Sequence, residues 1–364
     1  MLRLPGAVPT RAEGGFDGTW RVMATWLLSL FLLRSLVPLA FGDDRSYFRR
    51  LAQQIEPSGK PDVRRSRAYL MFLASRLALD RRLTLFDVNA VAGEGGVRLE
   101  GSVEWRELRR SAEQFFLALG FPRVDNRIDV LPDGRLGNRR YGRIRVDHVP
   151  SYDRPTGERE MVTECLRGDP VWLLRADRGE TYLCHSAEGY LGYVDRRAVE
   201  VMREDEFYRW LKGVEPEADG AGSSESTDRA AGRRAVEAVL AEARRFLGAP
   251  YLWGGKSREG IDCSGLVQNS FAAAGIFLPR DSNQQVLVGR VTGVRGEWQA
   301  LEPGDTMFFI NSRGRISHTA IYLGEGKLIE ATEPVARIAS LRPGDPEYDE
   351  RRVRSFVWGK RVVR

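Results

Sequence analysis

Asp262-Cys263-Ser264-Gly265 opens an apolar helical pattern in which Leu266, Val267, Phe271 and Ala274 share one face and Gly275 closes the helix. Cys263 therefore sits in a first turn, where unpaired backbone N–H groups and the helix dipole favour negative charge. A thiolate is the form such a position stabilises, so a lowered pKa and a nucleophilic sulfur are expected. An isolated cysteine at a helix start is more often a small buried hydrophobe. Its company decides the matter. Beyond residue 235 the chain holds one cysteine and one histidine, so any thiol–imidazole chemistry there has a single pair. His318 lies in Ile316-Ser317-His318-Thr319-Ala320-Ile321-Tyr322-Leu323-Gly324, a strand entered through a loop, which puts the imidazole at the strand's mouth. A nucleophile on a helix N-terminus packed against a base on a sheet is the arrangement of thiol acyl-transfer chemistry.

A third group should hold the imidazole. Leu328 to Thr332 reads as the return strand, with Glu330 as its polar centre between Ile329 and Ala331. If the Gly324-Glu325-Gly326 loop pairs Leu323 with Lys327, Glu330 faces Ala320 and shares a sheet face with His318. A two- or four-residue loop points it to the opposite face instead. A carboxylate on the shared face would favour imidazolium, and hence a thiolate–imidazolium pair. The alternative is a solvated strand glutamate.

The surrounding elements follow from the pattern. Ala235 to Leu247 is helical and ends at Gly248, and Leu301 to Asp305 is a turn before the apolar strand Thr306 to Ile310. Six blocks then stand in order: PYLWGG (250–255), DCSG (262–265), LPRDSNQQ (278–285), LEPGD (301–305), ISHTAIYLG (316–324) and LIEAT (328–332). With these blocks, residues 235–364 resemble the NlpC/P60 family of cell-wall cysteine peptidases, whose fold is papain-like. The resemblance implies that Cys263 is the nucleophile, His318 the general base and Glu330 the third catalytic position, where the family more commonly has His. It also implies that Tyr251 and the backbone near Cys263 form the oxyanion site, and that Asp262, Ser264, Asp281 and Ser282 shape the substrate cleft.

Upstream, short strands at 162–166, 170–174, 181–184 and 189–194 are separated by Gly168-Asp169 and Arg178-Gly179 turns. Short strands at this density bury their faces only by curling into a small barrel. Residues 141–202 resemble a bacterial SH3-like domain. Paired with the peptidase, this module resembles γ-D-glutamyl-diamino acid endopeptidases, in which an SH3-side acid pairs with a free substrate amine. Valine stands where that acid is expected, leaving Asp147, Glu158 or Glu160 for the role, with Tyr190 as the best-placed SH3-side contact. Cys165 and Cys184 both fall on expected strands, and whether they are cross-linked is left open.

Residues 43–135 read as a small α+β domain: a helix at 63–79, strands at 86–91, 96–103 and 127–132, and an amphipathic helix from Trp105 to Leu119 stopped by Gly120. The run from Val97 to Pro132 resembles the BON domain, a module linked with envelope surfaces. Residues 213–234, rich in Gly, Ser, Ala and acid, read as a linker. The fold class is thus α+β, a papain-like domain preceded by a small SH3-like barrel and a BON-like domain.

Val22 to Leu33 is an unbroken apolar run, too short for the ~20 residues that cross a bilayer. It fits the core of an export signal, so residues 1–42 are expected to be a leader, with no membrane span left after cleavage. A net charge of +6, spread over 56 basic and 50 acidic residues, is too mild for a dedicated nucleic-acid binder. Three histidines and three cysteines leave little for a zinc site, and no metal or cofactor is required by the chemistry. The expectation is an exported, periplasmic or cell-wall-associated peptidase acting on peptidoglycan stem peptides or muropeptides. Two other classes use the same residues: an inactive wall-binding adaptor, or an amidase or acyltransferase on the same scaffold.

Overall fold

The computed structural model describes residues 45–177, 179–214 and 225–363. The expected leader (1–42) lies outside them, as does 215–224 of the expected linker. Among the described residues no helix is long and apolar enough to cross a membrane.

The first domain contains helices α1 (Arg45–Ile55) and α2 (Ser66–Leu77), then strands β1 (Phe86–Gly93) and β2 (Gly96–Val103). Helix α3 (Arg106–Leu119) then carries the chain to β3 (Val124–Val130). β1 and β2 form an antiparallel hairpin, and α3 crosses over so that β3 runs parallel to β2. The alternation of Val97 and Leu99 with polar residues turns one sheet face onto Phe115, Phe116 and Leu119 of α3, all buried. Mid-strand, Gly101 adopts φ +118°, and a Cβ there would lie 2.1 Å from the Asp87 carbonyl oxygen of the paired strand.

The second domain has seven strands: β4 (Tyr141–Ile144), β5 (His148–Tyr152), β6 (Met161–Leu166), β7 (Pro170–Ala176), β8 (Thr181–His185), β9 (Leu191–Asp195) and β10 (Val199–Met202). They form one sheet in the order β10-β4-β7-β8-β9-β5-β6, so the expected closed barrel is not what forms. The sheet still curls, because Cys165 on edge strand β6 and Val199 on edge strand β10 share one core with Leu173 and Val194. Edge β6 is covered instead of closed: a hairpin of β11 (Lys256–Ser257) and β12 (Gly260–Ile261) from the next domain packs on it. Cys165 and Cys184 are buried free thiols.

After α4 (Glu204–Val214), helix α5 runs from Glu225 to Arg245. Residues 225–234 of the expected linker are therefore helical. Ala230, Ala231, Arg233 and Arg234 are strong helix formers, and they prolong a helix already anchored by buried Val239, Ala243 and Phe246. The last domain continues with α6 (Cys263–Ala272), α7 (Ser282–Gln285), β13 (Arg290–Val294), β14 (Thr306–Ile310) and β15 (Ile316–Gly324). It ends with β16 (Lys327–Ala331), β17 (Ala336–Ser340), α8 (Glu350–Ser355) and β18 (Phe356–Arg361). Its strands form one antiparallel sheet, ordered β13-β18-β14-β15-β16-β17. Period-two alternation gives that sheet two apolar faces. Ile321 and Ile329 meet Leu266, Val267 and Phe271 of α6 on one face, while Met307, Phe309, Tyr322 and Leu328 pack on the other.

Polar side chains tie the domains together. Buried Lys256 pairs with Glu188 of the second domain, whose Glu164 Oε2 accepts the Lys256 N–H at 2.8 Å. Arg82 of the first domain pairs with Asp281, and Gln284 Nε2 donates to Asp80 at 3.0 Å. Tyr190 Oη donates to the Gln284 side chain at 3.1 Å. Gly101→Ala should destabilise the protein by about 1–3 kcal/mol, since it strains the backbone and pushes β1 off β2. The midpoint of urea unfolding followed by circular dichroism checks this, against Gly95→Ala, whose Cβ meets no atom within 4 Å, as a control for positive φ alone.

Candidate active site

Asp262 caps α6: its Oδ1 accepts the Gly265 N–H at 2.6 Å, and its Oδ2 accepts the Gly254 N–H at 2.8 Å. Gly265 is required because a Cβ there would lie 2.4 Å from the Gly255 carbonyl oxygen. Arg280, only 1% exposed, completes the arrangement. It donates to both Asp262 oxygens at 3.0 and 2.7 Å, to Ser264 Oγ at 2.9 Å, and from Nε to Thr163 Oγ1 of β6 at 3.0 Å. Asp262 and Ser264 are thus buried members of the first turn, on either side of Cys263. Asp281 stands before α7 and is engaged by Arg82, with Ser282 beside it as the first residue of that helix. Tyr190 is 2% exposed and anchors the domain interface through Gln284.

Cys263 begins α6, with its sulfur facing the backbone N–H groups of Ser264 and of Thr319, the residue after His318. Strand pairing explains the approach. β15 pairs with β16 from Ile321 onward, although β16 runs on to Ala331. The strands part at Thr319, and the helix-borne sulfur meets the strand's mouth there. Tyr251 lies close to Cys263 and borders a cavity of about 1030 Å³ that His318 also lines.

The register of Glu330 was the open question. A two-residue turn, Glu325-Gly326, joins Gly324 to Lys327, which alone would turn Glu330 away. A bulge at Leu323 restores the face: Tyr322 pairs with Leu328 and Ile321 with Ile329, so Glu330 falls opposite Ala320. Glu330 is fully buried, and its Oε2 lies 2.7 Å from His318 Nε2. Two arginines absent from the sequence reading share the carboxylate, Arg352 Nε at 2.6 Å and Arg337 Nη2 at 2.9 Å. An ionised carboxylate only accepts, so His318 Nε2 carries the proton and Nδ1 is left basic.

The surroundings of both groups favour their uncharged forms. Burial pushes the Cys263 thiol up to about 12 and the neighbouring Asp262 carboxylate adds to this, outweighing the backbone N–H groups at the helix start. His318 is lowered from its ordinary 6.5, by burial first, with Arg352 and Arg351 opposing the Glu330 carboxylate. Burial thus works against a standing thiolate and a standing imidazolium alike. Burial opposes ionisation of Glu330 too, yet its contacts with His318 and Arg352 bring it down to about 2.

Of the proposed SH3-side acids, Asp147 pairs with Arg167 at 2.8 Å. Glu160 lines a second cavity of about 800 Å³, between the second and last domains, together with Glu164, His148 and exposed Trp253. Glu164, buried and 2.7 Å from His148 Nδ1, was not singled out in the sequence because nothing local marks it. Among the described residues no cluster of His, Cys, Asp and Glu could hold a metal ion.

A helix-borne thiol, an imidazole at the opening of the adjoining sheet and a carboxylate on its far nitrogen define a papain-like thiol site. Residues 248–363 match the NlpC/P60 family and residues 151–199 the bacterial dipeptidyl-peptidase SH3 domain, so the last domain of this chain belongs to the NlpC/P60 family. The chain is 32% identical over 118 residues to the gamma-D-glutamyl-L-lysine dipeptidyl-peptidase of Bacillus cereus (strain ATCC 10987 / NRS 248), covering 32% of this chain and 34% of that one. It is 44% identical over 97 residues to the gamma-DL-glutamyl hydrolase of Bacillus subtilis (strain 168), covering 26% of this chain and 22% of the relative. To the bifunctional muramidase/DL-endopeptidase CwlT of the same strain it is 40% identical over 111 residues, 30% of this chain and 32% of that one. The chain spans about a quarter to a third of the length of these relatives.

A carboxyl whose folded pKa lies at about 2 rather than its ordinary 4.5 contributes stability that is present above pH 4.5 and lost as pH falls toward 2. For Glu330 this contribution is roughly 3 kcal/mol. Denaturant titrations from pH 6 down to 2 should show that loss in the wild type, and a shallower one in Glu330→Gln.

Proposed function

We propose that this chain is an exported cysteine peptidase that hydrolyses peptidoglycan stem peptides at the γ-D-glutamyl–diamino acid bond. The carrying observation is the assembly of Cys263, His318 and Glu330 at the opening of β15 and β16 within a domain of the NlpC/P60 family. The name of one relative, a gamma-D-glutamyl-L-lysine dipeptidyl-peptidase, supports the bond, and that of another, a bifunctional muramidase/DL-endopeptidase, supports the substrate class.

Burial of both groups supports a scheme in which proton transfer accompanies attack. His318 Nδ1 takes the Cys263 proton as the sulfur bonds to the γ-glutamyl carbonyl carbon. The oxyanion is met by N–H groups at the start of α6, which lack intrahelical partners, and by the Tyr251 hydroxyl. Burial, with Cys263 and Asp262 nearby, raises the Tyr251 pKa, so this hydroxyl remains a donor at neutral pH. The imidazolium returns its proton to the leaving amine as the C–N bond breaks. Water, deprotonated by the same imidazole, then hydrolyses the thioester, releasing the acyl product and restoring the thiol. Glu330 positions the ring and selects its tautomer. Arg337 and Arg352 hold that carboxylate ionised and offset its charge, which keeps the imidazole a base rather than a standing cation.

Cys263→Ala should abolish release of diamino-acid products from soluble muropeptides, followed by mass spectrometry, while Cys165→Ala should not. Undiminished release by the Cys263 variant would remove the nucleophile from this scheme.

A further inference from the structure

The chain has three histidines, and the hydrolytic scheme uses one. The other two stand where domains meet. His185, buried at the end of β8, has Nδ1 2.7 Å from the Gly189 carbonyl oxygen. Its Nε2 lies 3.1 Å from Oε1 of Glu104, a buried residue of the first domain. His148 opens β5, with Nδ1 2.7 Å from Glu164 Oε1. Its Nε2 lies 2.8 Å from Oε2 of Glu259, in the turn between β11 and β12 of the last domain.

Donor and acceptor chemistry fixes the proton count of these contacts. A carbonyl and an ionised carboxylate only accept, and a neutral imidazole carries a single N–H. Each ring here meets acceptors on both nitrogens, so each junction holds a second proton, on the ring as imidazolium or on the carboxyl as acid. Above about pH 6.5 a separated imidazole and carboxylate keep only the first. Neighbouring charges do not replace it. Beside His185, Arg175 pairs with Asp177 at 2.9 Å, Arg82 with Asp80 and Asp281, and Glu188 with Lys256. Trp172 lies parallel to the His185 ring, centroids 5.4 Å apart, a face that favours a cation. Beside His148, Asp147 pairs with Arg167, and Arg159 and Glu160 line the adjoining cavity. Burial works against a charged His148, yet the Glu164 and Glu259 carboxylates carry it above its ordinary 6.5.

We infer that the second domain is latched to each neighbour by one bound proton, so that docking is tight at mildly acidic pH and loosens as pH rises through the histidine range. The sign follows from linkage: the docked state holds more protons than the separated one. Each latch therefore weakens by up to about tenfold per pH unit once it titrates. Both latches bear on the active site. The β11–β12 hairpin runs straight into Asp262 and Cys263, and Glu164 accepts its Lys256 N–H through the oxygen that His148 leaves free. At the other junction the Arg82 carbonyl accepts the Leu191 N–H at 2.7 Å, while Arg82 and Asp80 hold α7 through Asp281 and Gln284. Gln285 of that helix donates to the Ser264 carbonyl at 3.0 Å. Loss of the two protons thus frees supports on both sides of the nucleophile.

Hydrogen exchange of the full chain, read by mass spectrometry and corrected for intrinsic base catalysis, follows both junctions. Between about pH 6 and about pH 9, protection of residues 256–261 and 80–85 should fall by about tenfold or more, while 306–310 in the last sheet holds. The decisive variants are Glu104→Gln and Glu164→Gln. An amide NH2 donates to an unprotonated ring nitrogen, while its oxygen still accepts the Leu85 or Lys256 N–H. Each junction is then satisfied without the second proton, so protection there should become independent of pH. Wild-type protection that does not change over this range overturns the inference. So does a pH dependence that survives in both variants, or protection that they lower equally at every pH, which marks a structural contact only. Should either variant fail to fold, ring NMR of the histidine-labelled wild type decides: His148 titrating above 6.5 supports the latch, and at or below it sinks it. None of these readings needs turnover, so they stand or fall apart from the peptidase reading.

Discussion

A buried guanidinium fastens the helix that presents the nucleophile. Arg280 closes on both oxygens of Asp262, the residue that caps α6, and reaches across to Thr163 of the second domain. Removing one partner from such a pair leaves an uncompensated interior charge, a loss of about 3–5 kcal/mol. The helix start that carries the Cys263 sulfur therefore depends on this ion pair, and the same guanidinium adds one hydrogen bond to the contacts that seat the SH3-like sheet. The network also holds Asp262 and Ser264, the two residues flanking the nucleophile, in fixed positions.

Around this anchor the site balances its charges instead of accumulating them. Asp262 opposes ionisation of the thiol, Arg280 offsets Asp262, and Arg337 with Arg352 offsets Glu330. The outcome is a site whose surroundings favour the uncharged thiol and imidazole, with the imidazole tautomer set by a carboxylate that stays ionised. The helix dipole favours the thiolate, and burial opposes it.

Much of this was legible along the chain. Cys263 at a helix start, His318 at a strand mouth and the strand carrying Glu330 all follow from hydrophobic period and turn residues, which act over a few positions. Less legible was the turn at Glu325-Gly326. Its two-residue length argues for one face of the sheet, while the Leu323 bulge selects the other. The extent of α5 was underestimated because its first residues are polar and helix-forming, so no apolar stripe marks them. Arg352 and Arg280 reach partners 22 and 18 residues away, while Arg337 stands directly opposite Glu330 on the neighbouring strand β17, which the sequence reading had not placed.

The amino-acid sequence by itself determined the elements, their order and the identity of the single thiol–imidazole pair in the last domain, because local propensity and periodicity act between near neighbours. Tertiary structure alone decided the surroundings of that pair, which carboxylate reaches which arginine, and which way the SH3-like sheet leaves its edge. Those properties depend on desolvation and on charges brought within a few ångströms only when segments far apart in the chain pack together.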